Sequence, residues 1–190
     1  HYMLVSCVNG SFKAYWYEEG YVRTSSAEFT TKASRDPLIH LTNDAIQKHT
    51  ADYGKYEKAN KLSYAELDKY LETAYPRKTS LFEKILPRMK HFATEAVRAT
   101  YSILDPARRT NNFELLGLDF MIDEDFQPWL IEVNTNPCLE LCCPHLQRII
   151  PAVVENVFKI CVDPLFPPPE QWPSNRRPFL SDDPLADNRF

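Results

Sequence analysis

Residues 113–137 read FELLGLDFMIDEDFQPWLIEVNTNP, and the reading of this stretch decides the fold. Two apolar runs, Leu115 to Ile122 and Trp129 to Val133, flank the polar break Asp123-Glu124-Asp125. Short β-favouring runs on either side of such a break predict a hairpin. With the turn centred on Glu124-Asp125, Asp123 faces Phe126. Side chains alternate along a strand, so Asp119 then shares a face with Leu130, Glu132 and Asn134 and lies diagonal to Glu132. Asp119, Glu132 and Asn134 converge at one end of a mostly apolar hairpin.

Two carboxylates and an amide carbonyl make an all-oxygen set of the kind that hard cations such as Mg²⁺ prefer, with water and substrate phosphates completing the octahedron. Two close carboxylates also resist joint ionisation unless a cation lies between them. The alternative is a surface hairpin bearing three unrelated polar side chains.

Working outward, the 190 residues correspond to about one domain. An apolar fraction of 44% with 13% aromatics suffices for a packed core. A net charge of −4 lacks the basic footprint of a nucleic-acid binder. No apolar run approaches a membrane span and no signal peptide opens the chain. The five cysteines, Cys7, Cys138, Cys142, Cys143 and Cys161, are an odd number, read as reduced cytosolic thiols. Cys138, Cys142, Cys143 and His145 lack paired metal-ligand spacing and are expected to pack around a helix start instead of holding zinc.

Upstream, residues 2–8 and 12–17 read as strands joined at Asn9-Gly10-Ser11, and Tyr21 to Ser25 is expected to continue their sheet. Arg23, in that third run, offers a planar fork for a carboxylate or phosphate, or else a surface ion pair. Thr42, Asn43 or Asp44 can cap a short helix carrying Ile46. Residues 50–60 read as an ordered loop. Ser63 and Glu66 form a capping box that opens a helix to about Ala74, ended by Pro76. A longer helix starts at Ser80, with Leu81, Ile85, Met89, Phe92, Ala96, Ala99 and Ile103 as its buried stripe, a kink or split at Pro87, and a stop at Asp105-Pro106. Between Arg77 and Arg109 there are eight Lys or Arg against three acids, which is either a solvated helix surface or a docking stripe for an acidic peptide. Pro144 opens a last helix to about Val162, with Leu146, Ile149, Ile150, Val153, Val157 and Ile160 inward. From Asp163 the density of Pro predicts a loosely packed or disordered tail.

LLGLDFMIDEDFQPWLIEVNTNP resembles the metal-binding hairpin of the tubulin–tyrosine ligase family, a branch of the ATP-grasp ligases. HYMLV with YWYEEGYVRTSS, IHLTNDAIQK and DYGKYEKAN resemble further family segments in the same order, from the first residue to about Phe166. The resemblance implies an α+β fold, the C-terminal lobe of an ATP-grasp domain over residues 1–166, with a mainly antiparallel sheet flanked by helices, and a Pro-rich tail over 167–190. It implies ATP and Mg²⁺, with two ions, as cofactors. Asp119 and Asn134 would each hold one side of the metal pair and Glu132 would bridge it. Thr42, Asn43, Ile131 and Glu132 would face the nucleotide. Arg23 would orient the carboxylate of a free amino acid, and Thr135 and Asn136 follow closely enough to touch substrate.

The reaction so implied joins an amino acid to tubulin or microtubules through an acylphosphate, with Arg23 and Glu132 as its catalytic residues, in a cytoplasmic, cytoskeleton-associated protein for which cilia are one setting. The Leu-Thr-Asn-Asp-Ala-Ile-Gln and Tyr-Gly-Lys-Tyr-Glu-Lys-Ala-Asn segments favour tyrosine as the added residue. Glutamylation and glycylation remain alternatives, as do a non-catalytic tubulin-binding module and an ATP-grasp ligase for small molecules or peptides. The family's nucleotide-binding lysines and phosphate-facing loop lie upstream of His1, so the chain is expected to be the C-terminal portion of a larger ligase and inactive by itself.

Overall fold

In the computed structural model, residues 1–32, 35–107 and 109–169 are described. The expected tail thus lies outside the described residues from position 170 onward.

The central layer is a four-stranded antiparallel sheet in the order β2-β1-β5-β6, formed by Tyr2–Val8 (β1), Ser11–Trp16 (β2), Asn112–Ile122 (β5) and Pro128–Asn134 (β6). Asn9 and Gly10 turn β1 into β2 with φ of 50° and 77°. Both are positive, as a two-residue hairpin turn requires and as Asn-Gly tolerates. β1 is an inner strand covered on both sides, which is why Tyr2 to Val5 read as an unbroken apolar run and are all buried.

One face of the sheet carries Tyr2 and Leu4 and packs on α5 (Pro144–Cys161) through Leu146, Ile149, Ile150, Val153 and Val157. Ile160 is partly buried against the same cluster, and Cys161 is buried in addition. The other face carries Met3, Val5, Leu116 and Leu118 and packs on α4 (Leu86–Leu104) through Ala93 and Val97. A Leu buried to this extent contributes about 1.5–3 kcal/mol through water exclusion.

The capping box forms as expected. Ser63 accepts from the Glu66 amide and Glu66 reaches back to the Ser63 amide, opening α3 (Tyr64–Ala74). The long helix begins with Ser80 as N-cap and a π-helical turn, Leu81–Ile85, before α4 proper. The wider turn precedes Pro87, whose ring cannot donate and crowds the carbonyl four residues back.

Three expectations are corrected. The third run pairs with Lys61–Ser63 (β4), so Tyr21–Arg23 (β3) belongs to a separate two-stranded ribbon and does not continue the main sheet. The buried line of α4 runs Leu86, Met89 and Ala93 with Val97 partly buried, stepping by four after Met89 where the expected stripe stepped by three to Phe92, and it leaves Phe92 39% and Ile103 70% exposed. Sequence reading also omitted β4 and the short helix α1 (Pro37–His40), whereas the short helix expected to carry Ile46 forms as α2 (Asp44–Gln47) with Asn43 at its N-cap position. Among the described residues, no helix is long and apolar enough to cross a membrane.

Candidate functional site

The hairpin of β5 and β6 differs from its expected register twice. Asp123 accepts from the Phe126 amide through its carbonyl and donates its own amide to the Gln127 carbonyl, and Phe126 has φ of 60°. This is a three-residue loop ending in a left-handed residue, one residue longer than expected. Asp123 steadies it. Its Oδ1 accepts from the amides of Asp125 and Gln127, and its Oδ2 accepts from Trp129 Nε1 at 2.8 Å. The Trp129 bond is the chief reason its carboxyl titrates below the usual carboxylate range. Phe120 pairs with Leu130, and then an irregularity at Ile131 brings Asp119 directly opposite Glu132.

One slip would have sent every β6 side chain to the other face. The second slip restores the parity for Glu132 and Asn134, but not for Leu130. Leu130 therefore packs with the α4-side core and does not share the face of Asp119. Asp119, Glu132 and Asn134 do share one, with Asn134 opposite Gly117 and its Nδ2 donating to Glu132 Oε1 at 3.0 Å.

A directly opposed Asp/Glu pair destabilises a hairpin unless a cation offsets it. Arg23 supplies part of that offset, with Nη2 2.9 Å from Asp119 Oδ2 and the two side chains 28% and 29% exposed. Glu132 has no such partner among the described residues. The set remains net acidic and rich in oxygen, which suits a divalent hard cation. Among the described residues, no cluster of three or more His, Cys, Asp and Glu could hold a metal. A metal here would take two carboxylates and an amide, and the cysteines are thiols near a helix start, with Cys143 as the buried N-cap of α5.

Two adjoining cavities meet at this pair. One of about 450 Å³ is lined by Arg23, Thr42, Asn43, Asp119, Ile131 and Glu132, against an apolar wall that includes Leu67, Leu118 and Phe120. The other, about 280 Å³, is lined by Arg23, Asn43, Asp119, Glu132 and Asn134 together with Tyr2, Tyr21, Asn136, Pro137 and Cys138. All seven residues singled out in the sequence therefore border one cleft. Asn43 is the N-cap of α2, yet its side chain makes no capping bond.

Asn136, expected to lie within reach of substrate, lines the smaller cavity, but sequence reasoning missed Tyr2, Tyr21, Pro137 and Cys138 there. Tyr21, pushed up to about 12 mainly by burial, stays protonated at neutral pH. Tyr2 donates its hydroxyl to the Cys138 carbonyl at 2.7 Å and so pins the loop after Asn134. Gly117 did carry a signal, since glycine inside a strand marks a close approach. A Cβ there would lie 2.9 Å from Pro137 Cβ. Of the two readings of Arg23, a fork for a substrate carboxylate or an ion pair, the structure shows an ion pair, with Asp119 as the partner. Of the basic run, Arg88, Lys90 and Arg98 lie on α4 and are exposed. Arg98 is paired with Glu95, and Arg108 lies outside the described residues.

An antiparallel sheet between helices, with an acidic hairpin end opening on a two-part cleft, fits a lobe of the ATP-grasp type. A model of the tubulin-tyrosine ligase family matches residues 1–170. Tubulin glycylase 3A of Drosophila melanogaster is 37% identical over 154 residues, covering 78% of this chain and 15% of that protein. Tubulin glycylase 3D of Tetrahymena thermophila is 35% identical over 156 residues, covering 79% and 15%. Protein monoglycylase TTLL8 of Homo sapiens is 32% identical over 153 residues, covering 78% and 18%. The chain belongs to the tubulin-tyrosine ligase family. It spans about a seventh to a sixth of the length of these three relatives.

Proposed function

We propose that the chain is the C-terminal lobe of an ATP- and Mg²⁺-dependent carboxylate–amine ligase that adds glycine to tubulin. The observation that supports a ligand site is the opposition of Asp119 and Glu132 on one face, with Arg23, Thr42, Asn43 and Ile131 bordering the same cleft. Glycine replaces tyrosine as the favoured amino acid because the relatives reported above are named as glycylases. Tyrosine finds no comparable support.

In this reading Asp119, Glu132 and Asn134 would hold the metal, which would supply charge neutralisation for the transferring phosphoryl group. Thr42, Asn43 and the Ile131 backbone border the nucleotide. Arg23 exchanges its bond with Asp119 for the carboxylate of the free amino acid, a geometry its planar fork suits. Pro137, packed close over Gly117, and Cys138, bonded through its carbonyl to Tyr2, bound the smaller cavity. The basic surface of α4 receives an acidic acceptor segment.

The full-length parent, incubated with tubulin, Mg·ATP and labelled Gly, Tyr or Glu, should incorporate the glycine label. Incorporation of tyrosine or glutamate alone would overturn the assignment. In the same assay, Arg88→Glu, Lys90→Glu and Arg98→Glu together should raise KM for tubulin several-fold and leave KM for ATP unchanged. An unchanged tubulin KM removes the docking surface.

A further inference from the structure

An ion pair with a buried lysine and an aspartate 28% exposed lies next to Asn43. Lys61 Nζ sits 2.5 Å from Asp44 Oδ1, with the Lys61 side chain only 3% exposed. Its second bond goes to the Ala59 carbonyl at 3.1 Å. Tyr53 donates its hydroxyl to the same Asp44 oxygen at 3.3 Å, and Cys142 Sγ approaches the other at 3.9 Å. Burial together with Asp44 pushes the Tyr53 hydroxyl up to about 12, so it remains a donor. Four segments thus meet on one carboxylate: the start of α2, the loop carrying Tyr53, β4, and the loop running from the metal-facing strand to α5.

The surroundings are equally constrained. Asn60, 3% exposed with φ of 50°, accepts from the Gly54 amide and donates to the Thr24 carbonyl and Ser26 Oγ. Gln47, fully buried, accepts from the Ser26 amide and donates to the Leu38 and Leu41 carbonyls. The segment bearing Thr42 and Asn43 is therefore clamped on both sides of Asn43. At that one position the cap side chain makes no capping bond and borders both cavities. A Lys–Asp pair whose lysine is desolvated adds little net stability over an apolar pair of the same shape, so stability alone gives a poor reason for it.

We propose that the Asp44–Lys61 pair is a positioning device that fixes Asn43 at the junction of the two cavities. Asn43 touches the nucleotide, and Asp44 and Lys61 act through it. The proposal rests on the ligand reading given under Proposed function.

The test uses the full-length parent and measures affinity for Mg·ATP by calorimetry alongside thermal melting. Asp44→Leu with Lys61→Met removes both charges together, which leaves folding close to wild type, whereas Asp44→Leu alone strands the buried Lys61 charge. The double variant should bind Mg·ATP about tenfold more weakly at an unshifted melting temperature. Asn43→Ala should show a similar loss, and the triple variant should be no worse than either. Wild-type affinity in the double variant, or losses that simply add in the triple, would overturn the proposal. Should the double variant not fold, Tyr53→Phe removes one bond to Asp44 and keeps both charges; it should weaken binding two- to threefold, at about 0.5 kcal/mol for a coupled neighbour, and wild-type affinity there would likewise overturn it. Asp119→Ala separates the two readings. If it weakens Mg·ATP and the double variant does not, only the positioning role fails; if Asp119→Ala has no effect, the ligand site itself fails.

Discussion

In the full-length parent, Asp119→Ala is expected to lower kcat by about 10²–10³-fold, the usual loss when one group that stabilises developing charge is removed. The melting temperature should not fall with it. Asp119 faces Glu132 directly across the hairpin, so its removal relieves a like-charge contact. The bond it gives up, to Arg23, joins two groups that are each more than a quarter exposed, and pairs of that kind add little stability. Glu132→Gln should behave in the same way. It keeps an oxygen for the Asn134 amide, now 3.0 Å away, but loses the charge. A kcat within twofold of wild type for both variants would show that the carboxylates are not used in the reaction.

Gly117→Val should damage the site through packing and not through charge. Its Cβ would lie 2.9 Å from Pro137 Cβ and 3.6 Å from Pro137 Cα. Apolar carbons prefer about 3.5–4.0 Å, so the 135–138 loop must move outward. That movement pulls the Cys138 carbonyl from the Tyr2 hydroxyl and opens the smaller cavity. A displacement near 1 Å at a site can cost about 10²-fold in rate, and we expect kcat/KM to fall on that scale. Overpacking should also cost about 1–3 kcal/mol, read as a lower melting temperature. Tyr2→Phe breaks only the tie to Cys138 and should give a milder loss with little change in melting. A Gly117→Val protein with native turnover would mean that the loop does not shape the site.

The elements with strong local signals were legible in the sequence. The Asn-Gly turn needs two positive φ values and has them. The Ser63/Glu66 box, the stop at Asp105 and the inward face of α5 also follow from short-range chemistry. Pro87 announced a break, though not that a π-helical turn would absorb it.

What escaped the sequence depends on partners far along the chain. Nothing in Tyr21–Arg23 distinguishes pairing with β4 from pairing with β2, since a three-residue strand carries too little pattern. The α4 stripe steps by four after Met89 to Ala93, which packs with Met3, Val5, Leu116 and Leu118 of the sheet, where the expected stripe stepped by three to Phe92. The hairpin is the most instructive case. Neither the longer loop at Phe126 nor the irregularity at Ile131 could be read from composition. Their two one-residue shifts cancel in parity, so Asp119 and Glu132 share a face although the expected register was wrong, and Leu130 does not. The engagement of Arg23 by Asp119 likewise joins residues 96 positions apart.

On the proposed function, Asp119, Glu132 and Asn134 together hold a divalent cation beside a triphosphate. Mn²⁺ binding to the full-length parent, followed by electron paramagnetic resonance in the presence of ATP, tests it most directly. The account predicts protein-bound Mn²⁺ in the wild type and its loss by tenfold or more in affinity, about 1.4 kcal/mol, in Asp119→Asn and in Glu132→Gln. The same bound Mn²⁺ spectrum and affinity in all three proteins would contradict it.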